Sequence, residues 1–171
     1  MTTFLEKLKG ASQRHRSLLC VGLDVLPDRV PCPDIADFNR AIIEATSDLV
    51  CAYKPNLAFY EALGMVGLRA LERTLADVPS DIPVIGDGKR GDIGSTSAAY
   101  ARALFDIWGF DAATVTPYLG RDGIEPFLEY SERGVFILCR TSNSGSNDFQ
   151  ALTVRTEDRS EHLYEVVARK A

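Results

Sequence analysis

The sequence lacks the features that mark membrane, secreted and nucleic-acid-binding proteins. Its first residues, MTTFLEKLKGASQRHRS, have no apolar core like that of a signal peptide, and no stretch approaches the roughly 20 apolar residues of a membrane span. No basic run stands out against a net charge of −5, which argues against a nucleic-acid or membrane-surface partner. We therefore expect a cytoplasmic protein.

Cysteine and histidine are too few and too far apart to suggest a metal centre. The four cysteines form no CxxC pair, and neither of the two histidines lies at ligand spacing from them. Three cysteines lie in or beside apolar runs, which is typical of buried free thiols. We therefore expect reduced, buried thiols and no metal site. The cysteines are Cys20, Cys32, Cys51 and Cys139.

What the sequence does contain is a regular alternation of short apolar runs and amphipathic segments. The apolar runs predict strands at 17–24, 50–56, 84–89, 112–118 and 134–140. Helical spacing of apolar residues predicts helices at 37–49, 64–78, about 95–108 and 123–133, and an amphipathic tail at 159–171, with a polar loop at 141–148. The length of 171 residues and the absence of a linker predict one domain, residues 1–171.

Strands that are apolar on both faces and alternate with helices indicate an α/β fold with a parallel sheet. No GxGxxG follows the first strand, so the sequence lacks the main motif that would indicate a dinucleotide-binding fold. Polar residues stand at the carboxyl ends of the strands, where a barrel would gather them at one mouth and an open sheet would spread them along a line. We therefore predict a (β/α)8 TIM-barrel type of fold. These residues are Asp24, Lys54, Asp87, Lys89, Thr116 and Arg140.

The strand count departs from that fold. An eight-stranded barrel typically takes about 250 residues, and five strands are predicted here. We therefore expect the barrel to be incomplete, truncated after about five βα units.

The segment VIGDGKRGDIGST, residues 84–96, places acids and bases directly after an apolar strand. Because strand side chains alternate, Asp87 and Lys89 are expected on one face of the sheet. One interpretation is a salt bridge at the end of the strand, capped by the start of the next helix. The other is functional: a buried lysine held between two carboxylates keeps its proton, which suits a proton donor to a carbanion. Asp24 and Lys54, at the ends of the two preceding strands, would extend the charge array, and this convergence favours the functional interpretation.

The segment that contains these charged residues resembles that of a known family. DGKRGD fits the D-x-K-x-x-D motif of the orotidine 5'-phosphate decarboxylase family, a motif shared with related barrel enzymes that act on sugar phosphates. Four more blocks resemble the longer, bacterial-type branch in the right order: LCVGLDVLPDRVP, AYKPNLAFYEALG, TVTPYLGRDGIEPFL and VFILCRTSNSGS. The resemblance runs from about residue 4 to residue 169.

The resemblance implies a cofactor-independent carboxy-lyase that converts orotidine 5'-monophosphate to uridine 5'-monophosphate and CO2, the last step of de novo UMP biosynthesis. It implies that Lys89 protonates C6 of the pyrimidine and that Asp87 lies near the departing carboxylate and holds Lys89. Lys54 would bridge Asp87 and the ribose, and Asp24 would accept a hydrogen bond from a ribose hydroxyl.

The resemblance also implies a homodimer whose active sites are shared. Asp92 and Thr96 would then reach into the partner's site, and Ser142 would meet the amide edge of the pyrimidine. The segments that grip the substrate phosphate in the family follow the last strands, and no counterpart of them is present. We therefore expect this chain alone to be poorly active or unstable. Two alternatives stay open: a keto-pentulose-phosphate decarboxylase or aldolase, whose relatives usually need Mg²⁺, and a catalytically incompetent chain that only dimerises or binds nucleotide.

Overall fold

A computed structural model describes residues 2–32, 34–155 and 158–171. Five short strands run parallel to one another: β1 Cys20–Gly22, β2 Ala52–Lys54, β3 Ile85–Arg90, β4 Ala112–Val115 and β5 Gly134–Ile137. Each of them lies within or beside a predicted apolar run. The predicted strands at 17–24 and 50–56 were too long, since β1 and β2 have three residues each.

The strands lie side by side in the order in which they occur in the chain. β1 pairs with β2, and β3, β4 and β5 pair in sequence, all parallel. Two isolated parallel bridges, Tyr53 to Val84 and Asn56 to Asp87, connect β2 to β3. A doubly wound sheet reverses its strand order at a switch point, whereas this order is that of a barrel wall. The fold is therefore α/β, a partial barrel of five strands.

α-Helices precede, separate and follow these strands along the chain. Their bounds are α1 Phe4–His15, α2 Ile35–Thr46, α3 Leu57–Glu61, α4 Gly64–Asp77, α5 Gly94–Arg102, α6 Arg121–Leu128 and α7 Leu163–Lys170. Side chains at the helix starts satisfy free backbone N–H groups, as Asp34 does for α2 and Asn56 for α3. The main apolar core lies between the helices and the outward-facing strand residues, with Tyr53, Tyr60 and Phe127 completely buried.

Helix α1 covers the inner face of the arc at the amino ends of the strands. Phe4 and Leu8 pack against a second apolar cluster made of Cys51, Ala52, Ile85 and Ala112. The Lys7 ammonium lies 2.8 Å from a carboxylate oxygen of Asp111, just before β4. The amino end of the arc is thus closed, whereas the carboxyl end is open.

Several predicted elements differ from the structure. The predicted helix at 95–108 is α5 followed by a π-helical segment, Ala103–Ile107. The predicted helix at 123–133 ends at Leu128, and the loop at 141–148 contains a 3-10 helix, Ser144–Asp148. The tail is only partly helical, because an antiparallel hairpin of β6 Thr153–Arg155 and β7 Ser160–His162 precedes α7. Strands of three residues are too short for a period of two to show in the sequence.

The expectation of buried cysteines was wrong for three of the four. All four thiols are free, but only Cys51 is buried, and Cys20 is exposed. Cys20 pairs in register with Ala52 and faces the inside of the arc. Within the part of the chain that the structure describes, β1 and β5 have no further strand along their outer edges, so the inner face near β1 is open to solvent.

No described helix is both long and apolar enough to cross a membrane.

Candidate active site

Asp87, the third residue of β3, lies at the centre of a cluster of polar groups. Its Oδ2 accepts a hydrogen bond of 2.9 Å from the Lys54 ammonium at the end of β2. Its Oδ1 accepts bonds of 2.7 Å from the Lys89 ammonium and 2.8 Å from the Thr114 hydroxyl on β4. Three neighbouring strands therefore supply one group of side chains at the carboxyl ends.

Lys89 reaches Asp87 through an irregular backbone. Its φ of 45° lies in the left-handed region, which a residue with a side chain rarely adopts. The ladder between β3 and β4 shifts register between Gly86 and Arg90, and the Lys89 N–H donates a 2.9 Å bond to the Thr114 hydroxyl. The prediction that Asp87 and Lys89 lie on one face is confirmed by their hydrogen bond. The contact arises from this bulge, however, and not from the regular alternation on which the prediction was based. Backbone strain of this kind concentrates at functional sites.

The ionic contacts change the acidities of two of these groups. Burial raises the pKa of Asp87, but hydrogen bonds from Lys89, Lys54 and Thr114 outweigh that effect and lower it to about 2. Burial lowers the pKa of Lys54, but the hydrogen bond and charge of Asp87 and the charge of Asp24 raise it overall. The carboxylate is therefore ionised at neutral pH beside two lysine side chains.

The expectation that the lysine is the buried member of the cluster was wrong. The Lys89 side chain is 49% exposed and the Lys54 side chain 33% exposed, whereas the Asp87 side chain is 9% exposed. The lysines lie at the open mouth of the arc, and the carboxylate lies below them against β4. The site is therefore a buried anion covered by two accessible cations.

Asp24 lies beside this cluster, one strand away. Its Oδ1 accepts a 3.0 Å hydrogen bond from the N–H of Asn56, just past the end of β2. The carbonyl of the preceding residue, Leu23, accepts a 2.7 Å bond from the buried Tyr60 hydroxyl. The Asp24 side chain is exposed at the mouth, so it remains accessible to a ligand there.

The other three predicted site residues are not hydrogen-bonded to the cluster in the described part of the chain. Asp92 and Thr96 lie at the start of α5, where an Asp92 oxygen accepts a 2.7 Å bond from the N–H of Ile93. Ser142 is exposed in the loop after β5, where the neighbouring Thr141 is bonded to Gln150. None of these three side chains has a described hydrogen bond to the cluster.

The interpretation of the charges as a capped salt bridge fits the structure only in part. The ion pairs exist, but the N-cap residue of α5 is Ile93, and it makes no side-chain capping bond. The cap that this interpretation requires is therefore absent from the described start of α5.

Sequence reasoning missed Thr114. It lies within an apolar strand, and nothing in its local sequence distinguishes it from a strand threonine chosen for its branched side chain. Only the pairing of β3 with β4 places its hydroxyl beside Asp87 and Lys89.

A separate cavity of about 530 Å³ lies beyond the ends of β4 and β5. Its lining is mostly apolar and includes Leu138, Phe149, Tyr164 and Val167. The charge cluster does not line it.

Among residues 2–32, 34–155 and 158–171, no three or more His, Cys, Asp or Glu side chains are placed to hold a metal ion.

Comparison with known proteins agrees with the resemblance noted in the sequence. The sequence model of the orotidine 5'-phosphate decarboxylase / HUMPS family matches residues 17–171. Orotidine 5'-phosphate decarboxylase from Dehalococcoides mccartyi is 56% identical over 169 residues, covering 98% of this chain and 63% of its own length. The protein of the same name from Paracidovorax citrulli is 45% identical, covering 99% of this chain and 64% of its own length.

Solved structures give the same result. OMP decarboxylase from Leishmania donovani superposes with a TM-score of 0.88 at 42% identity, covering 99% of this chain and 65% of that chain. UMP synthase from the same organism superposes with a TM-score of 0.87 at 41% identity, covering 98% of this chain and 36% of that chain.

The chain thus spans about 63% of the length of the first of these curated relatives. The range that the family model matches contains the positions of Asp24, Lys54 and Asp87. Since the family model covers most of the sequence, the chain belongs to the orotidine 5'-phosphate decarboxylase / HUMPS family.

Proposed function

We propose that this chain carries the catalytic charge cluster of an orotidine 5'-monophosphate decarboxylase. The observation that carries the proposal is the continuous set of ionic contacts from Lys54 through Asp87 to Lys89 at the carboxyl ends of β2 and β3. Catalytic groups lie at this end of the strands in TIM-barrel enzymes. The relatives described above bear the name of this activity.

The proposed reaction breaks the bond between C6 of the pyrimidine and its carboxylate. The electron pair of that bond stays on C6, CO2 leaves, and C6 takes a proton from the Lys89 ammonium to give uridine 5'-monophosphate. Lys89 then regains a proton from water. The carbanion at C6 is localised, so a fixed positive charge beside it lowers the barrier by electrostatic preorganisation.

Asp87 and Lys54 have different roles in this proposal. Asp87 holds the Lys89 ammonium at 2.7 Å and lies near the departing carboxylate. Lys54 shares Asp87 and, with Asp24 at the neighbouring strand end, contacts the ribose. The exposure of both lysines supports access of a ligand to this cluster.

Asp92, Thr96 and Ser142 are proposed to complete the site from elsewhere. In a homodimer with shared sites, Asp92 and Thr96 at the start of α5 belong to the partner's site. Neither side chain has a described hydrogen bond to the cluster of its own chain, as this assignment requires. Ser142, in the loop after β5, is proposed to meet the pyrimidine amide edge.

The test is to follow the loss of orotidine 5'-monophosphate absorbance with the chain and with Lys89→Ala. Because this chain spans 63% of its relative, a chimera carrying the remaining segment of the Dehalococcoides mccartyi protein is assayed in parallel. We expect turnover by the chimera and a loss of about 1,000-fold in kcat for Lys89→Ala, the size expected when one preorganised group is removed.

Lys9→Ala, on the exposed side of α1, is the matched control and should leave kcat unchanged. An unchanged rate in Lys89→Ala would exclude Lys89 as the proton donor. Turnover that requires Mg²⁺ and stops with EDTA would instead favour the sugar-phosphate enzymes of the same family.

A further inference from the structure

We propose that Thr114 is a positioning residue that holds Lys89 and Asp87 in register for the reaction proposed above, on which this inference rests. Thr114 lies on β4, between Ala113 and Val115, which pair with Gly86 and Arg90 of β3. It therefore lies opposite the three residues of β3 that interrupt the ladder. Two of those three residues are Asp87 and Lys89.

One hydroxyl group makes two bonds of opposite direction here. Thr114 Oγ1 donates to Asp87 Oδ1 at 2.8 Å and accepts from the Lys89 N–H at 2.9 Å. An ionised carboxylate can only accept hydrogen bonds, so the single hydroxyl proton points to Asp87. A lone pair of the same oxygen is then free to accept the Lys89 N–H. Each bond polarises the other, since hydrogen bonds in a chain strengthen one another.

The bond to the Lys89 N–H explains how an unfavourable backbone persists. A left-handed conformation is unfavourable for a residue with a side chain, and such strain lasts only where the surroundings hold it. On the carboxyl side of Lys89, the Arg90 carbonyl accepts a 2.8 Å bond from the N–H of Thr116. Hydrogen bonds from β4 and the residue that follows it therefore hold both ends of the bulge. Among the described hydrogen bonds, the Thr114 hydroxyl is the only side-chain group of β4 that binds the bulge.

The bond to Asp87 restricts the carboxylate as well. Oδ1 is shared between Thr114 and the Lys89 ammonium, and Oδ2 accepts from Lys54. Without the hydroxyl, the carboxylate keeps both lysines but loses its contact to β4. We expect Asp87 to turn more freely and the distance between the ammonium and the reacting carbon to vary. Small misplacements of this kind can cost about 100-fold in rate.

The test compares Thr114→Val with Thr114→Ser. Valine keeps the branched shape but neither donates nor accepts, whereas serine keeps the hydroxyl. In Thr114→Val we expect Lys89 amide exchange to be about 10-fold faster and the carboxyl-carbon titration of Asp87, followed by NMR, to move up from about 2. Thr114→Ser should restore both. In the chimera described above, Thr114→Val should lower kcat by about 10- to 100-fold with little change in KM.

Thr46→Val is the matched control, since Thr46 also makes two hydroxyl bonds, to the Ile42 carbonyl and the Tyr53 hydroxyl, and neither partner is a side chain of the cluster. It should lower stability without moving the Asp87 titration. If Thr114→Val leaves both NMR readouts unchanged, or if serine fails to restore them, the proposal is overturned. Neither readout requires turnover, so an inactive chain would count against the decarboxylase proposal alone.

Discussion

Two aspartates of this chain, Asp87 and Asp111, are paired with lysines at opposite ends of the same sheet. At the amino end, Asp111 accepts from the Lys7 ammonium at 2.8 Å and from the N–H of Val84 at 2.8 Å, and its side chain is 16% exposed. At the carboxyl end, Asp87 binds two lysines, one of them on a left-handed backbone. Asp111 joins α1 to the sheet, and its partners are fixed structural groups. Asp87 instead pairs with two partly exposed cations.

This difference shows how one residue type serves two purposes. An ion pair whose desolvation is offset by a backbone N–H contributes to holding elements together. An ion pair that surrounds one buried anion with two accessible cations retains positive charge at the surface of the site. The second arrangement is the one expected where a reaction develops negative charge.

Replacing the two aspartates separately should give the largest contrast. We expect Asp87→Ala to lower kcat of the chimera by about 1,000-fold, because Lys89 loses the anion that fixes it. Its stability should also fall, because the folded state loses the carboxylate that Lys54, Lys89 and Thr114 stabilise, but the loss should be smaller than that in Asp111→Ala. Asp111→Ala should leave kcat per folded molecule unchanged. Comparable kcat losses in the two variants would remove the distinction between the two ends.

Asp111→Ala should instead have the largest effect on stability. It leaves the buried N–H of Val84 without its acceptor and removes the partner of Lys7. We expect the free energy of unfolding to fall by about 3 kcal/mol, the cost of an unmet buried donor together with a broken ion pair. Urea unfolding measures this loss, and Asp111→Asn, which keeps an acceptor oxygen, should recover part of it.

The sequence predicts the carboxyl end of the sheet better than the amino end. Asp24, Lys54 and Asp87 each follow an apolar run, and parallel strands bring such positions together whatever their separation in the chain. The contact between Lys7 and Asp111 joins residues 104 positions apart, through a helix that does not belong to the strand–helix alternation. No local pattern indicates where such a helix docks.

Thr114 and the backbone of Lys89 were beyond prediction for a related reason. The bulge in β3 exists only because β4 lies beside it, so the left-handed φ of Lys89 has no signature such as glycine in the sequence. The exposure of Lys89 was mispredicted because alternation gives the face of a residue but not what covers that face. Family resemblance supplied roles for these residues, and the structure supplied their contacts.

Acidification should affect the carboxyl-end cluster in a defined pH window. The pKa of Asp87 lies at about 2, below its ordinary value of 3.8. Its contribution to stability is therefore complete above about pH 4 and is lost as the pH falls through 2. We expect the difference in unfolding free energy between the wild type and Asp87→Asn to be constant from pH 5 to 8 and to change between about pH 4 and pH 2, where urea unfolding at several pH values can follow it. A constant difference down to pH 2 would contradict the strong pairing of Asp87.

The smallest contrast is expected between the lysines at the two ends. Lys7→Ala removes the cation paired with Asp111, whose Oδ1 also lies 3.9 Å from Arg133, so part of the charge remains balanced. We expect a stability loss of about 1 kcal/mol and no change in kcat.

Lys54→Ala leaves Asp87 with Lys89 and Thr114, so stability should change less. Because Lys54 is proposed to contact the ribose, its loss should raise KM more than it lowers kcat. A stability loss in Lys54→Ala as large as that in Lys7→Ala, with KM unchanged, would make the two ends alike and assign both pairs to the architecture of the sheet.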